Sequence, residues 1–232
     1  MNPKNRAQQF VEELAAITLP EVFNPYAEVC LTSDQADAPA IRRRNLEQAL
    51  HSALTLKVTS IWIAQDLGYR GGRRTGLALT DEAHLHQHGE MLNVQTLQKA
   101  THGPQVKERT ATVIWHALQS IKQPVFLWNV FPFHPHLSAD PMSNRCHNST
   151  ERVVGLHFLK LLLEAIQPSV IVTIGEKSSE ALKSSGIDTA SVRHPSYGGQ
   201  ASFLDGIATL YDCDIPNPKH AYESELFEFA RG

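Results

Sequence analysis

The chain has 232 residues and a net charge of -3, and 42% of its residues are hydrophobic. This composition argues against a disordered chain, and no apolar run approaches the roughly 18 residues that a membrane span needs. The three cysteines, Cys30, Cys146 and Cys213, are too widely spaced for a zinc ribbon or an iron-sulfur cluster. We therefore expect a single domain over residues 1–232 that resides in the cytoplasm.

The charge is distributed unevenly along the chain. Residues 40–75 carry seven basic and two acidic side chains, whereas residues 197–232 carry two basic and six acidic ones. A protein with one anion-binding face has such an asymmetry, and so does a protein with two ordinary solvated surfaces. The charge pattern alone leaves both interpretations open.

Hydrophobic periodicity predicts alternating helices and strands. Helices are indicated over 5–17, 42–56, 113–121, 153–166 and 177–184, and strands over 58–65, 125–131, 169–174 and 190–193. Asn148 and Glu151 have the spacing of a capping box before the fourth of these helices. Strands separated by helices need crossover connections, so the predicted fold class is α/β, with three layers and a short central parallel sheet of about four strands.

Four polar segments leave the carboxyl ends of the predicted strands, where ligands bind in such sheets. They span residues 64–76, 129–136, 175–177 and 194–199. Together they contain a carboxylate, an amide, several imidazoles and glycine-rich backbone. The sequence therefore predicts one convergent polar site at this edge of the sheet.

Four motifs within and near these segments resemble the uracil-DNA glycosylase superfamily. In chain order they are Ala64-Gln65-Asp66, Thr75-Gly76-Leu-Ala-Leu-Thr80, Leu127-Trp-Asn129 and His194-Pro195-Ser196. The resemblance covers about residues 58–199 and leaves both ends of the chain unmatched. It implies a monofunctional enzyme that binds DNA, flips a pyrimidine base and hydrolyses its N-glycosidic bond, leaving an abasic site.

The resemblance assigns the two catalytic roles to Asp66 and His194. Base excision develops positive charge on the sugar and negative charge on the departing base. Asp66 is expected to position water and face the sugar cation, and His194 is expected to donate a hydrogen bond to the base carbonyl. Asp66 as the cap of a following helix or turn, and His194 as a histidine held in a turn by Pro195, are the structural alternatives.

Asn129 takes the family's position for reading the base edge. Its carboxamide pairs with uracil in one orientation and with cytosine in the other, so Asn129 does not choose between these bases. A buried amide bonded to the backbone is the alternative interpretation. The other residues expected to line the base pocket are Gln65, Gly68, Tyr69, Leu79 and His134.

Two departures from the best-known uracil enzymes bear on the substrate. Those enzymes carry a tyrosine that blocks the pyrimidine 5-position where this chain has Gly68, and a stacking phenylalanine where it has Leu79. Glycine and leucine together favour a larger pocket and a 5-modified base, such as the glucosylated hydroxymethylcytosine of phage DNA, excised in antiviral defence. Ordinary uracil repair and a non-catalytic nucleic-acid-binding module remain alternatives.

Extruding a nucleotide requires contacts to the DNA strand on both sides of it. The residues expected to make them are Arg70, Arg73, Arg74, Thr80, Ser196, Tyr197, Gly198 and Gly199. Tyr197 is the candidate wedge for the gap left by the flipped base. An ordinary solvated loop for the arginines and simple packing for Tyr197 are the alternatives.

No metal ion, nucleotide or other cofactor is expected. His84, His86 and His88 follow an apparent helix start, so their side chains should diverge, and the glycines of 68–76 lack the spacing of nucleotide-binding loops. No lysine lies in the four motifs, which disfavours a Schiff-base lyase. The expected partner is DNA and not a membrane, and the expected state is a monomer.

Overall fold

A four-stranded parallel sheet lies at the centre of the computed structural model, which describes residues 2–216. The strands are β1 (Val22–Phe23), β2 (Ser60–Asp66), β3 (Val125–Phe131), β4 (His134–Pro135), β5 (Val170–Ile174) and β6 (Ala190–Val192). The central sheet has the order β3-β2-β5-β6, and β1 pairs with β4 in a separate antiparallel ribbon. Strand β2 therefore lies inside the sheet, with β3 and β5 on its two sides.

Helices follow or precede each of the central strands. They are α1 (Pro3–Ala15), α2 (Ala38–Leu56), α3 (Gly72–Thr75), α4 (Leu85–Met91), α5 (Arg109–Ser120), α6 (Ser149–Ile166), α7 (Glu176–Lys183) and α8 (Gln200–Tyr211), with a 3₁₀ turn at Glu82–His84. No helix in the described part of the chain is long and apolar enough to cross a membrane.

The sheet separates two hydrophobic cores. Ile61 and Ile63 of β2 pack with residues of α1, α2 and α6 on one face, and Trp62 between them packs with residues of α5 and α8 on the other. This alternation follows from the two-residue period of a strand. The four parallel strands and the helices on both faces confirm the predicted α/β fold class.

Some short or weakly marked elements are absent from the prediction, for different reasons. Strands β1 and β4 have two residues each, which is too short for any periodicity to emerge. Helix α8 follows directly on the predicted site loop, and its N-cap Gly199 makes no side-chain cap hydrogen bond. Capping signals therefore mark its start poorly.

Several basic side chains of residues 40–75 bind partners within the protein. Arg42 is fully buried and pairs with Asp34 at 2.6 Å, and Arg43 donates to the backbone carbonyl of Tyr26. These residues therefore do not form a single anion-binding face. The acidic residues Glu223, Glu225 and Glu228 of the C-terminal stretch lie outside the described residues.

Candidate active site

A cavity of about 580 Å³ opens beyond the carboxyl ends of the central strands. This volume is within the range of roughly 300 to 1,000 Å³ that is typical of small-molecule sites. Half of the predicted site residues line it, namely Gln65, Asp66, Gly68, Leu79, Asn129, His194, Ser196 and Tyr197. The fold thus brings together both predicted catalytic residues and the predicted base reader.

Asp66 is the last residue of β2 and lines the cavity with a mostly buried side chain. Its Oδ1 lies 2.5 Å from Nδ1 of His147, while Oδ2 accepts no side-chain hydrogen bond from the described residues. Burial raises the pKa of the Asp66 carboxyl, and the hydrogen bond from His147 acts in the opposite direction. One carboxylate oxygen is thus held and the other is free to orient a water molecule.

His147 is a site residue that lies outside the four motifs. It directly precedes Asn148, the N-cap of α6, whose side chain forms a capping box with Glu151. Arg145 also binds Glu151 through two hydrogen bonds of 2.8 and 2.7 Å. The capping box is visible in the sequence, but the contact between His147 and Asp66, 81 positions apart, depends on the tertiary fold.

His194 follows β6 and lines the same cavity. Its Nδ1 accepts a hydrogen bond from the backbone N–H of Ser196 at 3.2 Å and lies 2.7 Å from the Ser196 hydroxyl. Burial, and to a smaller extent Arg193, lowers the pKa of His194, which favours the neutral ring. A neutral imidazole that accepts at Nδ1 carries its proton on Nε2, so His194 has a donor free for a ligand.

Asn129 lies in β3 opposite Ala64 of β2, with 2% of its surface exposed. Its Oδ1 is buried without a hydrogen-bond partner, and its side chain makes no hydrogen bond to the described residues. The alternative that this amide is bonded to the backbone therefore does not hold. An unpaired buried amide costs on the order of 1 to 3 kcal/mol, which a ligand with matching groups removes.

Gly68, Leu79 and Glu108 form part of the cavity wall. Leu79 has a positive φ of 55°, which is uncommon for a residue with a side chain, and its carbonyl accepts a hydrogen bond from Trp115. A Cβ added at Gly68 would lie 3.2 Å from Oε1 of Glu108. Glu108 is not among the predicted site residues, because it precedes α5 rather than following a strand.

Tyr197 stands at the mouth of the cavity with 98% of its surface exposed. Its φ is 50°, and the next residue, Gly198, also has a positive φ of 78°. Tyr197 and Ser196 line a second cavity of about 380 Å³ as well, together with Arg109 and Gly198. The exposed ring excludes the alternative that Tyr197 serves only to pack the interior.

Arg73, Arg74 and Thr80 are placed away from the surface expected for DNA contacts. Arg73 is 4% exposed and donates to the carbonyl of Pro141, and Thr80 is fully buried against His88. Arg74 lies 3.2 Å from Glu82 in a mostly buried pair. All three side chains have partners inside the protein, which corrects the expectation that they bind phosphate.

Further predicted residues lie outside the main cavity. His134 is fully buried between Arg73 and Asn144. It does not line the cavity, which corrects the expectation that it forms part of the base pocket. Tyr69 contacts Asn144 through its backbone, and its hydroxyl accepts from Arg70, which is exposed.

Gly199 is buried, and a Cβ at this position would overlap the carbonyl oxygen of His194. This close approach fixes the loop that carries His194, and the burial of Gly199 corrects the expectation that it contacts DNA. Gly198, in contrast, is exposed beside Tyr197. It stays available for a close approach of the DNA backbone.

The cavity contains one lysine, Lys177, which lies outside the four motifs. Its ammonium group donates to the thiol sulfur of Cys146 at 2.9 Å, and this hydrogen bond raises the pKa of Lys177. A lysine must lose its proton before it attacks a sugar carbon. The environment of Lys177 therefore favours the charged form over a nucleophile.

Among the described residues, His84, His86 and His88 do not share an ion-pair or hydrogen-bond partner. His84 pairs with Asp81, His86 is exposed near Glu90, and His88 is buried against Thr80. Within residues 2–216 there is no group of three or more His, Cys, Asp or Glu side chains arranged to hold a metal ion.

Among the solved structures that share the fold, one matches nearly the whole chain. The crystal structure of wild-type SMUG2 from Pedobacter heparinus matches with a TM-score of 0.62 and 15% sequence identity, covering 91% of this chain and 96% of that one. No family model and no curated protein sequence matches the chain. SMUG2 is a member of the uracil-DNA glycosylase superfamily, and at this identity the likeness shows that the two proteins share a fold.

Proposed function

We propose that the protein is a monofunctional DNA glycosylase that flips a pyrimidine into the cavity and hydrolyses its N-glycosidic bond. One observation carries the proposal. The same cavity is lined by a mostly buried carboxylate with one oxygen that accepts no side-chain hydrogen bond, a neutral histidine with a free Nε2 donor, and an amide whose buried oxygen has no partner. Base excision needs these three groups together, and a module that only binds nucleic acid does not.

Each group has a defined task in the proposed reaction. Asn129 pairs with the polar edge of the base, which supplies the hydrogen bonds that its side chain lacks. His194 donates from Nε2 to the base carbonyl as negative charge develops there. Asp66 orients a water molecule with Oδ2 and stabilises the sugar cation. The bond between C1′ and the base nitrogen breaks, the water oxygen bonds to C1′, and the base leaves with a proton.

The charged state of Lys177 supports hydrolysis rather than lyase chemistry. A bifunctional enzyme forms a Schiff base between an uncharged amine and the sugar. Lys177 donates to Cys146, and its pKa is raised, so the amine is protonated at neutral pH. Borohydride added during the reaction should therefore trap no covalent complex between this protein and DNA.

The cavity wall supports a 5-modified pyrimidine as the substrate. Gly68 presents no side chain where the superfamily resemblance puts the 5-position of the base, and Leu79 leaves an aliphatic surface. A cavity of about 580 Å³ also has room for more than a pyrimidine ring. Glucosylated hydroxymethylcytosine is the substrate that we propose, and the biological role is defence against phages whose DNA contains it.

DNA duplexes and single strands with one uracil, one hydroxymethylcytosine or one glucosylated hydroxymethylcytosine test this function. Wild type should convert the modified site to an alkali-labile abasic site, and Asp66→Asn should not. Asp205→Asn, a change on the outside of α8, is the matched control and should keep full activity. Equal abasic-site yields from wild type and Asp66→Asn would exclude the proposed mechanism.

The proposed defence role has a separate test in cells. Expression of wild type should reduce plaque formation by a phage with glucosylated cytosine and leave an isogenic phage with ordinary cytosine unaffected. Protection against both phages, or protection by Asp66→Asn, would contradict defence through excision of the modified base.

A further inference from the structure

Glu108 is an acidic side chain in the cavity wall to which the proposed reaction gives no task. It is the N-cap of α5, and its backbone N–H donates to Asp81 at 2.6 Å. Its carboxyl group lies against two glycines of the loop after β2. A Cβ at Gly68 would be 3.2 Å from Oε1, and a Cβ at Gly71 would overlap Oε2. Bare backbone on this side thus makes space for the carboxyl group.

The carboxyl group of Glu108 is short of hydrogen-bond partners. The only hydrogen bonds of Glu108 to the described residues are made by its backbone atoms. Burial and the nearby Asp81 raise the pKa of the Glu108 carboxyl, and Arg70 acts in the opposite direction. A partly buried carboxyl group that lacks a protein donor is available to accept a hydrogen bond from a ligand in the cavity.

We propose that Glu108 determines substrate specificity by accepting a hydrogen bond from a hydroxyl group on the 5-substituent of the flipped pyrimidine. This inference rests on the proposed function, since it needs a base in the cavity. A hydroxyl donor suits the site because a carboxyl group accepts from it in either protonation state. A cationic substituent is disfavoured by Arg70, which lies close enough to act on the charge of Glu108.

In this proposal Glu108 discriminates between 5-substituents by their hydrogen-bonding groups and not by size alone. A 5-methyl group offers no donor to the Glu108 carboxyl, whereas a hydroxymethyl group supplies one. A glucosylated hydroxymethyl group has no donor on the linking oxygen and several on the sugar. Hydrogen bonds to charged groups are worth enough to give about 10- to 100-fold discrimination.

The test is equilibrium binding to oligonucleotides that carry one 5-methylcytosine, one 5-hydroxymethylcytosine or one glucosylated hydroxymethylcytosine, with base release followed in the same samples. The variants are Glu108→Leu, which removes the acceptor at similar size, and Glu108→Gln, which keeps one acceptor oxygen. Glu90→Gln, on the exposed side of α4, is the matched control.

Wild type and Glu90→Gln should bind at least one hydroxylated substrate about tenfold or more tightly than the methylated one. Glu108→Leu should bring this ratio close to one, and Glu108→Gln should leave it intermediate. The hydroxylated substrate whose affinity falls most identifies the hydroxyl group concerned. If Glu108→Leu fails to fold, a ratio in Glu108→Gln equal to that of wild type overturns the inference.

The inference is also overturned if wild type does not discriminate, or if a folded Glu108→Leu keeps the full ratio. These outcomes differ from failure of the proposed function. If binding discrimination depends on Glu108 but no base is released, the proposed glycosylase activity is contradicted and the proposed recognition by Glu108 stands. If a base is released but the affinity ratio is the same in the Glu108 variants as in wild type, the recognition by Glu108 is contradicted and the glycosylase activity stands.

Discussion

At the scale of single residues, the contact between Asp66 and His147 decides how the site responds to pH. In the proposed reaction the Asp66 carboxyl must be ionised to orient water, and burial raises its pKa. His147 lowers that pKa through a hydrogen bond of 2.5 Å. His147 is therefore a positioning residue that keeps Asp66 charged at lower pH.

We expect the single-turnover rate to fall as pH drops through the pKa of Asp66. His147→Ala removes the hydrogen bond that lowers this pKa, so the acid limb of the pH profile should move to higher pH. His86→Ala, a change at an exposed histidine, should leave the profile in place. An acid limb that does not move in His147→Ala would show that the contact does not tune Asp66.

His194 should act mainly on the departing base. His194→Ala removes the free Nε2 donor and should reduce the rate about 100-fold or more, the usual scale for a group that stabilises developing charge. Substrate affinity should change much less, because the donor acts most strongly in the transition state. Single-turnover rates at saturating protein, measured beside the dissociation constant, separate these two effects.

Gly68 should control the size of the accepted base. Gly68→Tyr introduces a ring at a position where an added Cβ alone would lie 3.2 Å from Oε1 of Glu108, so the ring must occupy part of the cavity. We expect loss of activity on glucosylated DNA with uracil release kept or gained, a switch that arises from a clash. Activity of Gly68→Tyr on glucosylated DNA equal to that of wild type would show that the substituent does not pass beside residue 68.

At the scale of elements, the site depends on close approaches that only glycine permits. A Cβ at Gly155 of α6 would overlap the carbonyl oxygen of Val130 in β3, the strand that carries Asn129. Gly175, after β5, has a φ of 92° and lies against His194, where a Cβ would be 3.2 Å from the histidine Cβ. These approaches set the distance between helix, strand and site loop.

Gly155→Ala should therefore destabilise the protein by roughly 1 to 3 kcal/mol, the usual cost of overpacking. Gly206→Ala in α8 is the comparison, because its Cβ would meet only the side chain of Val192, at 3.1 Å. Denaturant unfolding of the two variants beside wild type measures the difference. A loss of stability in Gly155→Ala no larger than that in Gly206→Ala would mean that α6 can move away from β3.

The sequence predicts the elements better than the side-chain environments. Strand β3 has its predicted bounds, and the motif residues Asp66, Asn129 and His194 are expected at strand ends because parallel strands gather their carboxyl ends at one edge. The burial of Arg73 is not predictable in this way, because its partner His134 lies in β4, 61 positions away. Charge in a sequence does not reveal whether a side chain has a partner.

At the scale of the whole molecule, exposed basic residues near the cavity replace the buried ones as candidates for DNA contacts. Arg70, Arg109, Lys177 and Arg193 are exposed, and Arg109 and Lys177 line the two cavities that share Tyr197. A strand that passes Tyr197 would cross both cavities. The net charge of -3 then matters less than the local arrangement.

Arg109→Ala combined with Arg193→Ala should weaken the log-log salt dependence of binding to single-stranded DNA. The magnitude of the slope should fall by roughly 0.7 for each ion pair with a phosphate that the substitutions remove. Arg73→Ala should instead lower stability and leave the slope unchanged, because Arg73 is buried. Titrations at several salt concentrations measure the slopes, and an unchanged slope in the double variant would remove both residues from the DNA interface.

The most direct test of the central claim is the identity of the free base that the protein releases. An equimolar mixture of oligonucleotides with uracil, cytosine, hydroxymethylcytosine and glucosylated hydroxymethylcytosine is incubated with wild type, and the free bases are identified by mass spectrometry. We predict that the glucosylated base is released first, with an abasic site of matching yield, and that Asp66→Asn releases none. Release of uracil alone, or of no base from any oligonucleotide, would contradict the claim.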